Sequence, residues 1–270
     1  MSVAGPPLST RTWKRPRLIA NAQLRIAIQV GVIVYLVFAF GSLELNWTRI
    51  ALGFEKGWRL LVAFLHPNFG ARWGEIVTGM RESLTMTLCA TVAGVALSIP
   101  IGIGAARNLV HPAVYFFCRA IVAVSRSLQE IIVAILFVAM VGFGPFAGFL
   151  TITFATIGFL AKLLAEDIED IDGAQVAAIA AAGGTWLQQL EYAVRPQVMP
   201  RLIGLCLYRL DINFRESAVV GIVGAGGIGA TLNTAIDRYE FDVAAAILAI
   251  VIVIVMIAEY ASSHLRKWAQ

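Results

Sequence analysis

Apolar positions along the chain fall into long runs separated by short polar stretches. Leu24–Leu43, Leu84–Ala106 and Val243–Tyr260 are each apolar for roughly the 20 residues that carry a helix across a bilayer core. Gly144–Leu164 and Pro200–Val223 have similar length. The first ends near Lys162, whose stem can snorkel to the interface, and the second carries several charges. Ala113–Val141 is too long and too charged for one simple span, because Arg119, Arg126 and Glu130 fall inside it. A charge at mid-membrane costs about 2.5–3.5 kcal/mol, so these side chains are expected to avoid lipid. Arg126 and Glu130, four apart, are expected to pair on one helix face. The pattern predicts an inner-leaflet helix, a break near Ser125–Gln129 and then a short span, an arrangement tolerated where protein or a cavity covers the open backbone. The fold class read from these runs is an all-α polytopic membrane protein with about six transmembrane helices.

Residues 1–23 read as a polar, basic cytoplasmic tail, with Arg11, Lys14, Arg15 and Arg17 ahead of the first span at 24–43. That apolar run exceeds the about 7–15 residues of a signal-peptide core and has no clear cleavage site, so it reads as uncleaved. Residues 44–83 mix charges of both signs with Trp47, Trp58 and Trp73, which fits short amphipathic pieces at the outer interface. Residues 84–262 form the membrane core, with a cytoplasmic loop at 166–200, and 263–270 a cytoplasmic tail. Six spans place both termini inside, and the positive residues cluster at the segments this topology puts inside.

Composition fits this picture. The 270 residues are 59% hydrophobic and 14% charged, against about 25% charged in soluble domains. A net charge of +4 and a pI near 9.1 serve as a topology signal, so no nucleic-acid partner is expected. Cys89, Cys118 and Cys206 lie far apart in apolar sequence and read as buried, inert thiols. His66, His111 and His264 read as interfacial. No metal-ligand spacing, nucleophile elbow or catalytic cluster is present, so no metal, cofactor or catalytic residue is expected.

The polar break between two spans, EDIEDIDGAQVAAIAAAGGTWLQQLEYAVRPQVMP, encodes two short helices. Asp172 with Gln175, and Thr185 with Gln188, have the spacing of reciprocal N-terminal caps. Gly183–Gly184 stops the first helix, Leu187, Leu190 and Val194 share a face of the second, Pro196 ends it, and Pro200 suits the first turn of the next span. Two readings stand: a helical hairpin at the membrane surface, or a lever seated in a cleft of a partner, where the small residues Ala177–Ala182 allow close approach. The five acids between Glu166 and Asp172 read as a solvated face.

In the charged span, Arg209, Asn213 and Glu216 share one stripe, with Asp211 and Arg215 on a second face. Mutual ion pairing and a pathway for an oxyanion are both compatible with intramembrane charges. A transient site would have to bind weakly. Farther on, GAGGIG satisfies G-x-G-x-x-G, but a dinucleotide fold needs that run between a strand and a helix with an acid about twenty residues later, and 243–257 supply no acid for a ribose, which argues against that fold. No phosphate-binding G-x-x-x-x-G-K-[ST] motif occurs. Gly224, Gly226, Gly227 and Gly229 are expected to form a tight outer-side turn between the last two spans.

The loop spacing resembles the EAA coupling loop of type I ABC-importer permeases: Ala178 matches its first alanine, Gly183 its glycine and Pro196 its proline, while Ala177 stands where that pattern has glutamate. More specific text surrounds it. AARN, TIGFLAKLLAEDIEDID, YAVRPQVMPRL and LYRLDINFRESAVVGIVGAGGIG resemble the phosphonate ABC-transporter permease (PhnE-type) family over roughly residues 84–260. The resemblance implies the type I ABC-importer permease fold in a bacterial inner membrane. It also implies a second copy of the chain, a cytoplasmic ABC ATPase dimer, an extracytoplasmic phosphonate-binding protein, and import of phosphonate, phosphite, hypophosphite or a related oxyanion. Ala177, Ala178, Gly183, Gly184 and Pro196 would then belong to the ATPase-coupling loop, and Arg209, Asn213, Arg215 and Glu216 would border the substrate pathway. A permease for another small solute, such as an amino acid, and an ion channel without ATP drive remain the alternatives.

Overall fold

A computed structural model describes residues 21–42 and 47–269, in two units, Met1–Trp58 and Arg59–Gln270, each taken by itself. Residues 1–20, including the expected basic tail, and residues 43–46 lie outside the described residues.

In the first unit, α1 (Ala22–Gly41) starts where the Asn21 side chain accepts a hydrogen bond from the Gln23 N–H at 3.0 Å, a cap that satisfies one orphan donor. Its large apolar side chains are exposed on all sides, which suits lipid. α2 (Trp47–Phe64) begins in this unit.

The second unit is built on α3 (Trp73–Gly104) and α6 (Pro145–Glu169), which pack along most of their length. α3 begins well before the expected Leu84, so Trp73–Ser83 continue the same helix and are not separate pieces. The buried stripe of α3 runs Ile76, Met80, Ser83, Thr87, Ala90, Thr91, Gly94, Ser98, Gly102. Its small residues let the backbones approach, the usual device where lipid offers no hydrophobic drive between helices. A Cβ at Gly94 would stand 2.6 Å from Thr156 Cβ, and one at Gly158 2.7 Å from Ser125 Cβ.

α4 (Pro112–Ser127) and α5 (Glu130–Val141) meet at 97°, in the break expected near Ser125–Gln129. That bend separates Arg126 from Glu130, so the predicted pair on one helix face does not form. Glu130 reaches Arg209 of another helix instead.

After α6 come α7 (Gly173–Ala181) and α8 (Trp186–Gln189), then a π turn at Leu190–Val194 that runs without a stop into α9 (Arg195–Val220). Pro196 does not end the helix as expected. It sits in the first turn of α9, while the Arg195 N–H bonds back to Leu190 O. The wider π register makes room for a ring that would clash with the carbonyl four residues earlier.

A second π turn, Gly221–Ala225, and a kink lead into α10 (Gly227–Asp237), bent 57° from the helix before it. The chain then turns at Arg238–Glu240 into α11 (Phe241–Ala269). The glycine run therefore leads into a further helix, α10, which with the Arg238–Glu240 turn stands between α9 and α11, where a single tight turn was expected. Ile76, Met80, Phe214, Ile228, Leu232 and Ile247 close one core around α3, α9, α10 and α11, and Leu164, Ile168, Val194, Val198 and Leu202 close another between α6 and α9. Among the described residues four helices are long and apolar enough to cross a membrane, and six spans result if each bent pair counts once.

Candidate functional site

Three places collect the residues singled out in the sequence. The first is the stripe of α9. Arg209 is only 4% exposed, and its Nη2 meets Glu216 Oε2 at 3.0 Å and Glu130 Oε1 at 3.2 Å. Its Nε donates to Thr156 Oγ1 at 3.3 Å and its guanidinium lies 5.4 Å from the centroid of the Phe159 ring. Asn213, fully buried, donates to Thr91 Oγ1 at 2.8 Å and to Thr156 Oγ1 at 3.0 Å. The stripe thus ties α3, α5, α6 and α9 together. Arg215 is not part of it: its Nη2 bonds Asp211 Oδ2 at 2.6 Å, on the other face. Two carboxylates already share the Arg209 guanidinium, so an oxyanion there would compete with them for its N–H groups. Arg126, Glu130, Phe159 and Arg209 line a small cavity of about 160 Å³ beside this cluster.

The second place is the hairpin α7–α8. Asp172 Oδ1 accepts from Ala174 N–H at 2.9 Å and caps α7. The reciprocal bond expected from Gln175 is made by Gln197, whose Oε1 accepts from Asp172 N–H at 2.9 Å. A side chain on α9 can approach from outside the α7 turn, which sequence spacing within the loop does not show. At Thr185 the capping box forms as expected, with Thr185 N–H donating to Gln188 Oε1 at 2.7 Å. α7 ends on Gly183 at φ 81°, with Gly184 N–H on Ile179 O and Gly183 N–H on Ala180 O, the paired bonds of a Schellman motif. Ala174, Ala177, Ala178 and Ala181 are exposed on one side of α7. Val194 and Leu190 pack inward, but Leu187 is 66% exposed and does not share their burial.

Residues around this hairpin that spacing did not single out hold it to the bundle. Trp186 Nε1 donates to Leu109 O at 2.9 Å, across the α3–α4 connection. Glu169 Oε1 accepts from Arg107 N–H at 2.8 Å and from Arg119 Nη2 at 2.9 Å, and Asn108 Nδ2 donates to Ile168 O at 2.8 Å. The acidic run is only in part a solvated face: Glu169, Asp170 and Asp172 are exposed, while Asp167 is buried. Asp167 is buried against Arg201 at 2.9 Å, Glu166 pairs with Lys162 at 3.4 Å, and Asp172 is a cap. The run AARN and the acids of 166–172 were the available signal, but their pairing needs two helix ends brought side by side.

The third place is the glycine kink. Gly224, Gly226 and Gly227 have φ of 96°, 78° and 71°, values that L side chains rarely adopt. A Cβ at Gly229 would stand 2.8 Å from Gly221 Cα. The freed N–H groups at the start of α10 are taken by α3: Gly227 N–H by Glu82 Oε2 at 3.1 Å and Ile228 N–H by Ser83 Oγ at 2.9 Å. Next to it lies an open groove of about 550 Å³, where Arg81, Glu82, Phe146 and Phe149 stand with Cys89, which is exposed and not buried as expected.

Residues 98–268 match the family model described as the binding-protein-dependent transport system inner membrane component. The phosphate-import permease protein PhnE of Mycolicibacterium smegmatis is 41% identical over 232 residues, 86% of this chain and 44% of that one, so the chain spans less than half of that relative. The phosphite transport system permease protein PtxC of Stutzerimonas stutzeri is 35% identical over 244 residues, covering 90% and 88% of the two chains. Among solved structures, a chain of the inward-facing MetNI methionine ABC transporter superposes with a TM-score of 0.64 at 23% identity, over 74% of this chain and 99% of that one, a likeness of fold.

Proposed function

The chain belongs to the family of binding-protein-dependent transport system inner membrane components, and on that premise we propose that it is the membrane-spanning subunit of an ATP-driven importer for a phosphorus oxyanion. The cargo class rests on the relatives, which are named for phosphate and phosphite. The drive rests on one observation: the α7–α8 hairpin presents an exposed face of small residues while its base is hydrogen-bonded to the α3–α4 connection and to the first turns of α9.

In this reading Ala177, Ala178, Gly183 and Gly184 meet a cytoplasmic ATPase, one on each of two copies of the chain. Pro196 and the π turn join the hairpin to α9. When the ATPases close, displacement of the hairpin is passed through Trp186 to the α3–α4 connection and through Gln197 to α9. Rigid helices and hydrogen bonds of this kind can carry a two-state change. The Arg209–Glu130–Glu216 cluster closes the path between α5 and α9, and a passing oxyanion exchanges with a carboxylate on Arg209. Weak, transient binding of that sort lets cargo leave. The chain itself hydrolyses nothing, both termini face the cytoplasm, and an extracytoplasmic binding protein selects the cargo.

The test is growth. A strain lacking the chain should fail on phosphite or methylphosphonate as sole phosphorus source, and reintroducing the chain should restore growth. Unchanged growth on every such source and on limiting phosphate would overturn the cargo class.

A further inference from the structure

Two helices of this chain end in the same way with different residues at the critical position. α7 ends with Gly183 at φ 81°, with bonds from Gly183 N–H to Ala180 O and Gly184 N–H to Ile179 O. α10 ends with the same pair of bonds, from Tyr239 N–H to Ile236 O and Glu240 N–H to Ala235 O, and there the left-handed residue is Tyr239 at φ 61°. Glycine is the usual occupant, and a bulky side chain with positive φ is an outlier. Tyr239 is the only described non-glycine residue in this conformation.

The side chain that imposes this strain does not repay it inside the chain. It is 80% exposed, and its ring makes only an edge contact with Phe241, centroids 6.0 Å apart. The turn beneath it is held firmly. Glu240 Oε2 meets Arg72 Nη1 at 3.1 Å, Asp242 O accepts from Asn68 N–H at 3.1 Å, and Asp242 Oδ2 accepts from Asn68 Nδ2 at 3.3 Å. A strained, exposed aromatic on a clamped turn has the make-up of an interface anchor, since Tyr is over-represented among residues that dominate binding energy.

Its level decides the partner. The charge-free part of α3, Ser83–Gly104, is about 33 Å long at 1.5 Å per residue, enough for the hydrocarbon core. The hairpin is bonded near the far end of that stretch, through Leu109. Trp73–Glu82, with Glu75, Arg81 and Glu82, extends beyond the core on the opposite side, and the Tyr239 turn is clamped to the residue just before it, Arg72. The tyrosine is therefore beyond the acyl chains, on the side away from the hairpin.

We infer that the Arg238–Glu240 turn is a docking point for the importer's extracytoplasmic binding protein, with the Tyr239 ring seated in an apolar pocket of that protein. The inference rests on the importer role proposed above.

The test uses the permease with its ATPase in lipid nanodiscs, and the cognate binding protein saturated with whichever of phosphate, phosphite or methylphosphonate it binds. Tyr239→Gly removes the ring and suits the backbone, so the fold should hold. Basal ATP hydrolysis should be unchanged, while half-maximal stimulation should need about tenfold more binding protein, a loss equal to about 1.4 kcal/mol. A p-benzoylphenylalanine at 239 should crosslink to the binding protein on illumination. Unaltered stimulation by Tyr239→Gly, or crosslinking to lipid alone, would overturn the docking point. Absence of any stimulation in the wild-type complex would instead strike at the importer role.

Discussion

At Arg209 one guanidinium answers two carboxylates and a hydroxyl inside the bundle. Removing it strands Glu130 and Glu216, and breaking a buried pair costs about 3–5 kcal/mol. Arg209→Ala should therefore lower the thermal midpoint of the detergent-solubilised protein markedly, and Arg209→Lys, which keeps the charge but loses the planar fork, should fall between. A wild-type midpoint for Arg209→Ala would refute the pairing. If that variant assembles, the proposed pathway role predicts that uptake drops at equal ATPase abundance with the affinity of the free binding protein unchanged. Spacing alone put Arg209, Asn213 and Glu216 on one stripe. It did not point to Thr156 or Glu130, because which helix faces the stripe is not written in α9.

At the scale of elements, the α7–α8 hairpin is tested best on its exposed side. A bulky residue at Gly183 strains a left-handed backbone whatever docks there, since its φ is 81° and no other atom lies within 4 Å of the added Cβ. Ala178→Trp avoids that ambiguity. The membrane fold should be retained and co-purification of the ATPase should fall severalfold; full recovery of the ATPase would count against docking on this face. Trp186→Phe deletes only the Nε1 donor to Leu109 O. It should leave ATPase binding intact and reduce uptake per ATP hydrolysed, as measured in proteoliposomes. Between α3 and α6, Gly94→Val should destabilise by about 1–3 kcal/mol, because the added atoms meet Thr156. Equilibrium unfolding in mild detergent would show it. The two hairpin helices and the Thr185 cap were legible as local rules, whereas the Gln197 cap and the continuation through Pro196 arose from α9 packing on α6.

For the whole molecule the decisive property is which end of the bundle faces which compartment. Cysteines introduced as Ala178→Cys and Arg238→Cys, after replacement of Cys89, Cys118 and Cys206, should behave oppositely. An impermeant maleimide should label position 238 in intact cells and position 178 only after the inner membrane is opened. Labelling of position 178 from outside would overturn the proposed orientation. The purified chain should show ATP hydrolysis only when an ATPase subunit is present, because its sequence carries no phosphate-binding G-x-x-x-x-G-K-[ST] loop.

The sequence by itself determined the class of the protein, the apolar spans, the broken span at Ser125–Gln129 and the polar hairpin. These depend on local quantities: hydropathy over a bilayer thickness, cap residues and glycine stops. Tertiary structure decided which charges meet and where the chain turns. Arg126 and Glu130 were neighbours along the chain, yet the 97° bend parted them and gave Glu130 to Arg209. At the glycine run, Glu82 and Ser83 of α3 take up the N–H groups that the kink frees. A buried polar group must find a partner, and in a membrane bundle that partner stands on another helix, at a distance in sequence that no periodicity encodes.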